Sequence, residues 1–179
     1  MAWTAPMTAV ANSTFTAAQF NTHVRDNLNE TAPAKATAGG SYFAASGINQ
    51  IAERRAVTQG DLTSGTTTST AFGDLTGSSV GPAVTVDTGP AAFVIVRCSA
   101  ENSGAGSARM AYAISGATSV AAADNRGMHI FGSAGVNIGA SDVSLWTSLT
   151  PGSNTFTAKY RVSSGTGTFT ARRILVMPF

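Results

Sequence analysis

The chain is short of the residues that most chemistry needs. It has one cysteine, Cys98, which excludes an intrachain disulfide framework and any multi-cysteine zinc or iron-sulfur site. Only 11% of the 179 residues are charged, against about 25% in an ordinary globular chain. The net charge of +2 is too weak a field to hold a polyanion, so nucleic acid is not expected as a partner. Long apolar runs are missing too. The longest is 91–96, far below the roughly 20 residues that span a bilayer. The first cation is Arg25, so no basic leader precedes it, and the expectation is a chain made in a cytoplasm that stays soluble, with no membrane partner. What fills the space is small: Ala, Thr, Ser and Gly supply 93 of the 179 residues. Few charges and patterned apolar residues argue against disorder, and 179 residues can bury one core of ordinary size.

The sharpest local signal is a T-x-x-Q capping box at Thr16 and Gln19, flanked by Phe15 and Phe20 at the spacing of a hydrophobic staple. Phe20, Val24 and Leu28 follow at i, i+4 and i+8, which predicts an amphipathic helix over 16–28. Asn21, Thr22, Arg25, Asp26 and Asn29 take the other face, and Pro33 argues against continuation. A lone helix of this length is marginal in water, so its stripe must dock on something. Before it, 1–13 reads as an extended arm carrying Trp3, whose indole gains free energy only when covered, either by a partner surface or by folding back onto its own domain.

Residues 32–69 read as linker-like, with 42–57 as a short helix or irregular turn. From residue 70 the period changes to two, and turn residues recur at short intervals. Eight strands are expected, at 70–76, 84–87, 91–101, 108–114, 127–131, 143–149, 154–163 and 168–178. The unbroken run 91–96 fits a central strand covered on both faces, by a second sheet on one side and a sister subunit on the other. The resulting fold class is mainly β: an antiparallel two-sheet sandwich, jelly-roll-like, preceded by an extended N-terminal arm and one short amphipathic helix. Three segments follow: 1–31 as arm and anchoring helix, 32–69 as linker, 70–179 as the β-body.

No catalytic, cofactor-binding or metal-binding constellation emerges, and an enzyme is not expected. His23 and His129 have no ligand-type neighbour at metal spacing. Cys98 lies in an expected strand, where a small buried thiol is the default. Carboxylate pairs could be drawn from Asp87, Glu101, Asp124 or Asp142, yet these fall in turns or at strand ends, where Asp commonly caps and solubilises. Trp146, inside a strand, reads as a core residue rather than a sugar-stacking platform. Arg172 and Arg173 interrupt an apolar C-terminal strand. They read either as one solvated and one snorkelling side chain or as a pair at a subunit interface, meeting acids of a neighbour.

One stretch carries a resemblance. Phe15 to Thr37, F-T-A-A-Q-F-N-T-H-V-R-D-N-L-N-E-T-A-P-A-K-A-T, resembles the N-terminal segment of structural proteins of tailed bacteriophages of actinobacteria, in which a Trp-containing arm precedes the same motif. The C-terminal F-T-A-R-R-I-L-V-M-P-F is similar to the last strand of jelly-roll knobs in that group. The resemblance implies a virion location, an N-terminus serving as the virion end, a β-rich body outward and assembly as a homotrimer. Relatives often carry a longer repetitive segment after T-A-P-A-K, whereas here only 38–69 intervenes. That shifts the expectation from a long tail fibre toward a capsid decoration or short head fibre protein, with the major capsid protein or other virion proteins as partners. The alternative is a short tail fibre or minor tail protein that binds the host surface or a carbohydrate receptor. On the first reading Trp3, Phe15, Phe20, Val24 and Leu28 form the virion anchor, and Arg172 and Arg173 lie at a subunit interface.

Overall fold

The computed structural model describes residues 3–77, 80–131 and 134–179; Met1 and Ala2, the start of the expected arm, lie outside them. Half of the chain is strand and 8% is helix, so the protein is mainly β, built of antiparallel sheets. It divides into two units, one running to Arg55 and including Phe179, the other Ala56–Pro178.

In the first unit the helix starts where the capping box puts it. The Thr16 hydroxyl accepts the Gln19 amide at 3.2 Å, and the Gln19 side-chain oxygen accepts the Thr16 amide at 2.9 Å. Phe15 and Phe20 close the staple edge-to-face, with ring centroids 6.1 Å apart. The helix has three contiguous pieces: α1 (Ala17–Phe20), a π-helical segment (Asn21–Arg25) and α2 (Asp26–Leu28). The helix ends at Leu28 and does not continue through Pro33. A further turn, α3 (Ala32–Lys35), contains it at a first-turn position, where the missing N–H would have had no intrahelical partner.

Where 42–57 was expected to be a short helix or turn, the chain forms a β-hairpin. β1 (Tyr42–Gly47) pairs antiparallel with β2 (Gln50–Arg54), and Asn49 closes the turn in the left-handed region at φ 56°. Glu53 ties the preceding loop to it, accepting the amides of Thr37 and Ala38 at 3.0 and 3.1 Å and the hydroxyls of Thr37 and Ser41. Those donors hold its carboxyl down at about 2.

The second unit begins at residue 56 rather than 70, because two strands lie in the stretch expected to be linker: β3 (Val57–Asp61) and β4 (Gly65–Thr67). β5 (Ala83–Thr88), β6 (Ala92–Asn102), β7 (Ser107–Gly116), β8 (Gly127–Phe131), β9 (Ile138–Trp146), β10 (Gly152–Val162) and β11 (Gly167–Pro178) follow. The strand expected at 70–76 is absent; only isolated bridges, Thr66 to Thr76 and Gly73 to Tyr160, occur there. One sheet has the order β3-β11-β6-β9, with β4 also on β11, and the other has β5-β10-β7-β8.

A single core joins residues from the two sheets. Val94, Val96, Phe169, Ile174 and Val176 come from the first, and Val84, Met110, Tyr112, Ile114, Phe156 and Tyr160 from the second. Burial of each large side chain contributes roughly 1.5–3 kcal/mol. β10 shows the expected alternation: Asn154, Phe156, Ala158, Tyr160 and Val162 are buried while their neighbours are half-exposed or exposed. β6 alternates as well: Ala92, Val94 and Val96 face the core, and Phe93 and Ile95 lie on the other side of the strand. In β11 the pairing to β6 slips between Thr170 and Arg173, and Ala171 takes a φ of 48°. This bulge resets the alternation: Phe169 points inward before it, and Arg172, Ile174 and Val176 point inward after it.

Candidate functional site

The five residues expected to form an anchor lie in the first unit. Phe15, Phe20 and Leu28 are exposed, Val24 is half-buried, and Trp3 is exposed beside an open hollow of about 490 Å³ lined by Glu30, Ala45, Gly47, Asn49, Gln50 and Ile51. Within the helix only Asn27 is buried, while Thr22, Arg25 and Asn29 are exposed. Asn27, only 4% exposed, accepts the Thr4 amide at 2.8 Å and donates to the Thr4 carbonyl at 2.9 Å and the His23 carbonyl at 3.1 Å. The His23 ring is 3.1 Å from the Ala5 carbonyl, and the Trp3 amide donates to the Asn49 carbonyl at 2.9 Å. An extended arm presents unpaired backbone groups, and Asn offers one acceptor and two donors that match them. The arm is therefore held by hydrogen bonds to Asn27 and Asn49, which leaves the apolar stripe facing solvent.

Arg172 and Arg173 separate at the bulge. Arg172 is buried in its own unit, ion-paired with Asp61, donating to the Thr63 carbonyl at 3.0 Å, with its guanidinium 5.6 Å from the Tyr160 ring centre. An interface role for it is corrected on that ground: its acid belongs to the same chain. Arg173 is exposed on the outer face of the first sheet, directly across from Arg97 on β6.

The remaining candidates find structural roles. Burial pushes the Cys98 thiol up to about 12, and its sulfur lies 3.3 Å from that of Met128, so it is no nucleophile. Asp124 meets Arg109 at 2.9 Å and also pairs with Arg161, which together hold its carboxyl below the usual range. Asp87 and Glu101 occupy outward positions on different sheets. Asp142 accepts the Ser144 hydroxyl at 3.2 Å. Trp146 is half-buried against the core, its N–H donates to the Tyr112 hydroxyl at 2.6 Å, and Arg126 stacks on the ring at 5.3 Å. Among the described residues no group of three or more His, Cys, Asp or Glu could hold a metal ion. No helix among them is long and apolar enough to cross a membrane.

Sequence reasoning passed over two elements of this arrangement. Asn27 gave no signal, because a lone Asn in an amphipathic helix reads as solvated. The inward turn of Arg172 depends on a bulge that no turn residue marks. Neither the known protein-family models nor the curated proteins include a match to this chain.

Proposed function

We propose that the chain is a structural protein of a bacteriophage virion, held to the capsid shell by its N-terminal arm and helix and displaying its β-body outward as a decoration or short head fibre protein. The observation that carries the reading is the exposed apolar stripe of the helix. Asn27 is sealed inside while Phe20 and Leu28, 49% and 59% exposed, face out beside Phe15. A helix that needs a docking partner and spends its hydrogen bonds on its own arm has reserved the apolar side for another surface. Burying three such side chains removes on the order of 300 Å² from water, an upper bound of about 7 kcal/mol before ordering costs. Repetition over many identical capsid positions would suit an anchor of that strength. The resemblance of Phe15 to Thr37 to actinobacteriophage structural proteins supports the virion assignment.

The strand orders β3-β11-β6-β9 and β5-β10-β7-β8 support reading the body as a jelly-roll sandwich, in keeping with the knob that the resemblance implies. On the same resemblance the assembly is a homotrimer. The alternative, a short tail fibre that grips a host glycan, would draw on the hollow lined by Asn125, Arg126, Asp142, Ser144 and Trp146. There the indole N–H is already committed to Tyr112 and Arg126 lies on the ring, which weighs toward the decoration reading.

The test is capture by particles that lack the protein. The Phe20→Asp/Leu28→Asp double variant is expected to fold with wild-type circular dichroism and to load at least tenfold more weakly. Undiminished loading overturns the anchor. Copies per particle, hundreds for a head protein and a handful for a tail protein, separate the two readings.

A further inference from the structure

Each sheet of the second unit sets one arginine directly opposite another. On β5-β10-β7-β8 the pair is Arg161 and Arg109. Like charges at facing positions repel, and here one carboxylate of the chain resolves the conflict. Asp124 accepts the Arg161 Nε–H at 2.8 Å and meets Nη1 of Arg109 at 2.9 Å, bridging the two guanidiniums. On β3-β11-β6-β9 the pair is Arg173 and Arg97, whose Cβ atoms stand about 5 Å apart by their register. Both side chains are exposed, and among the described residues neither meets an acid. The acids around them are spoken for or out of reach. Asp61 pairs with Arg172, and Asp142, registered with Val96, lies on the core side of β9. Glu101 shares the outer face but lies four residues further along β6, about 13 Å away by strand rise.

The neighbours of the second pair leave room for a ligand. Gly60, Arg173, Arg97 and Ser141 form one row across β3, β11, β6 and β9, so an absent side chain flanks the arginines on one side and a hydroxyl on the other. A Cβ at Gly60 would come within 3.3 Å of the Arg173 Nε, so a larger residue there would crowd the guanidinium. Beside the bulge a hollow of about 340 Å³ opens between Leu62, Ala171 and the two arginines, with the neutralised Arg172 in its wall. On the far side of Arg97 a second hollow, of about 390 Å³, is lined by Gly139, Ala140 and Ser141. Each is of the size that takes a small ligand, at the low end of the range of about 300–1,000 Å³.

We infer that Arg97 and Arg173 form a binding site for an oxyanion supplied from outside the chain, a phosphate or carboxylate group that takes the place Asp124 fills on the other sheet. Two guanidinium forks on one row match the paired oxygens of such a group, and the Ser141 position adds a hydroxyl donor. The occupant is a single anionic group rather than a polyanion, because Gly60 and Ser141 bound the pair with no further cation in the row. The site belongs to the β-body and is independent of the attachment reading, which rests on the first unit.

Isothermal titration of the full chain with inorganic phosphate and with acetate, at an ionic strength held constant with sodium chloride, tests it. At least one of the two is expected to bind at one site per chain, and Arg97→Gln and Arg173→Gln each to weaken that binding at least tenfold. Arg109→Gln, which alters the pair that Asp124 already bridges, should leave the affinity unchanged. Tighter binding of phosphate supports a phosphate ester as the occupant, and tighter binding of acetate supports a carboxylate. A second readout needs no ligand. In chloride buffer Arg173→Gln is expected to melt no lower than the wild type, because it removes a like-charged neighbour, whereas an arginine kept for the sheet's own stability would lower Tm when lost. Failure of both anions to bind, an equal loss of affinity in Arg109→Gln, or a lower Tm for Arg173→Gln in chloride overturns the inference.

Discussion

Removing Asp61 should destabilise the β-body more than its half-exposed position on a sheet edge suggests. Its carboxylate is 20% exposed, but the Arg172 side chain that it neutralises is fully buried beneath the Tyr160 ring. The Asp61→Ala variant keeps the guanidinium and deletes the counter-charge, together with the bond that Asp61 accepts from the Thr63 amide at 2.8 Å. Breaking one partner of a buried pair costs about 3–5 kcal/mol, because the remaining charge stays desolvated. At roughly 2–4 °C per kcal/mol for a chain of this size, Tm should fall by about 6–20 °C. The Arg172→Met change on top of Asp61→Ala removes the stranded charge and refills the space beside Tyr160, so the double variant should recover most of the loss. Urea unfolding of the wild type, both single variants and the double variant supplies the cycle. A cost below about 1 kcal/mol for Asp61→Ala, or simple additivity in the double variant, would refute the claim that the pair is buried and coupled.

Three further outcomes are expected. Asn27→Ala deletes the clamp on the Thr4 backbone and should cost the first unit about 1–3 kcal/mol. It should show as faster hydrogen exchange at the Thr4 amide with the β-body unchanged. Cys98 should resist a thiol reagent at pH 8 in the folded protein and react fully in denaturant. Because its folded pKa lies above the ordinary 9.0, its contribution to stability is complete below pH 9 and is lost as pH rises toward 12. Glu53 runs the other way. Its carboxyl is depressed from 4.5 to about 2, so the tie to Thr37, Ala38 and Ser41 is whole above pH 4.5 and is lost as pH falls toward 2. Exchange of the Thr37 amide should accelerate over that window in the wild type and be fast throughout in Glu53→Gln.

Much of the architecture was readable where residues announce it by period or by turn chemistry. The capping box at Thr16 and Gln19, the alternation from Asn154 to Val162 and the strand Gly127–Phe131 all lie where patterning puts them. The misses share a cause. β3 places an exposed Gln59 and Asp61 on the same side as Val57, and β4 is Gly-Thr-Thr, so neither shows an apolar period against a Thr- and Ser-rich background. β1 and β2 pair Ala44 with Ala52 and Phe43 with Glu53, again too bland to read as a hairpin. Of the five expected anchor residues, four stand exposed on the first unit. What the helical period could not show was the burial of Asn27, which follows from a long-range hydrogen-bond match to the backbone of Thr4. In β6 the six apolar letters suggested two covered faces, and the opposing sheet covers the one that carries Ala92, Val94 and Val96.

The slipped pairing at Ala171 makes the end of β11 sensitive to length rather than to composition. Excising that one residue would let the strand run straight on from Phe169, and every side chain after it would change sides. Leu175 and Met177 would then press into the interior and Ile174 and Val176 would meet water. Arg172 would swing away from Asp61. A shortening by one letter, with no change in hydrophobicity worth mentioning, would therefore undo what most point substitutions in that segment would leave standing.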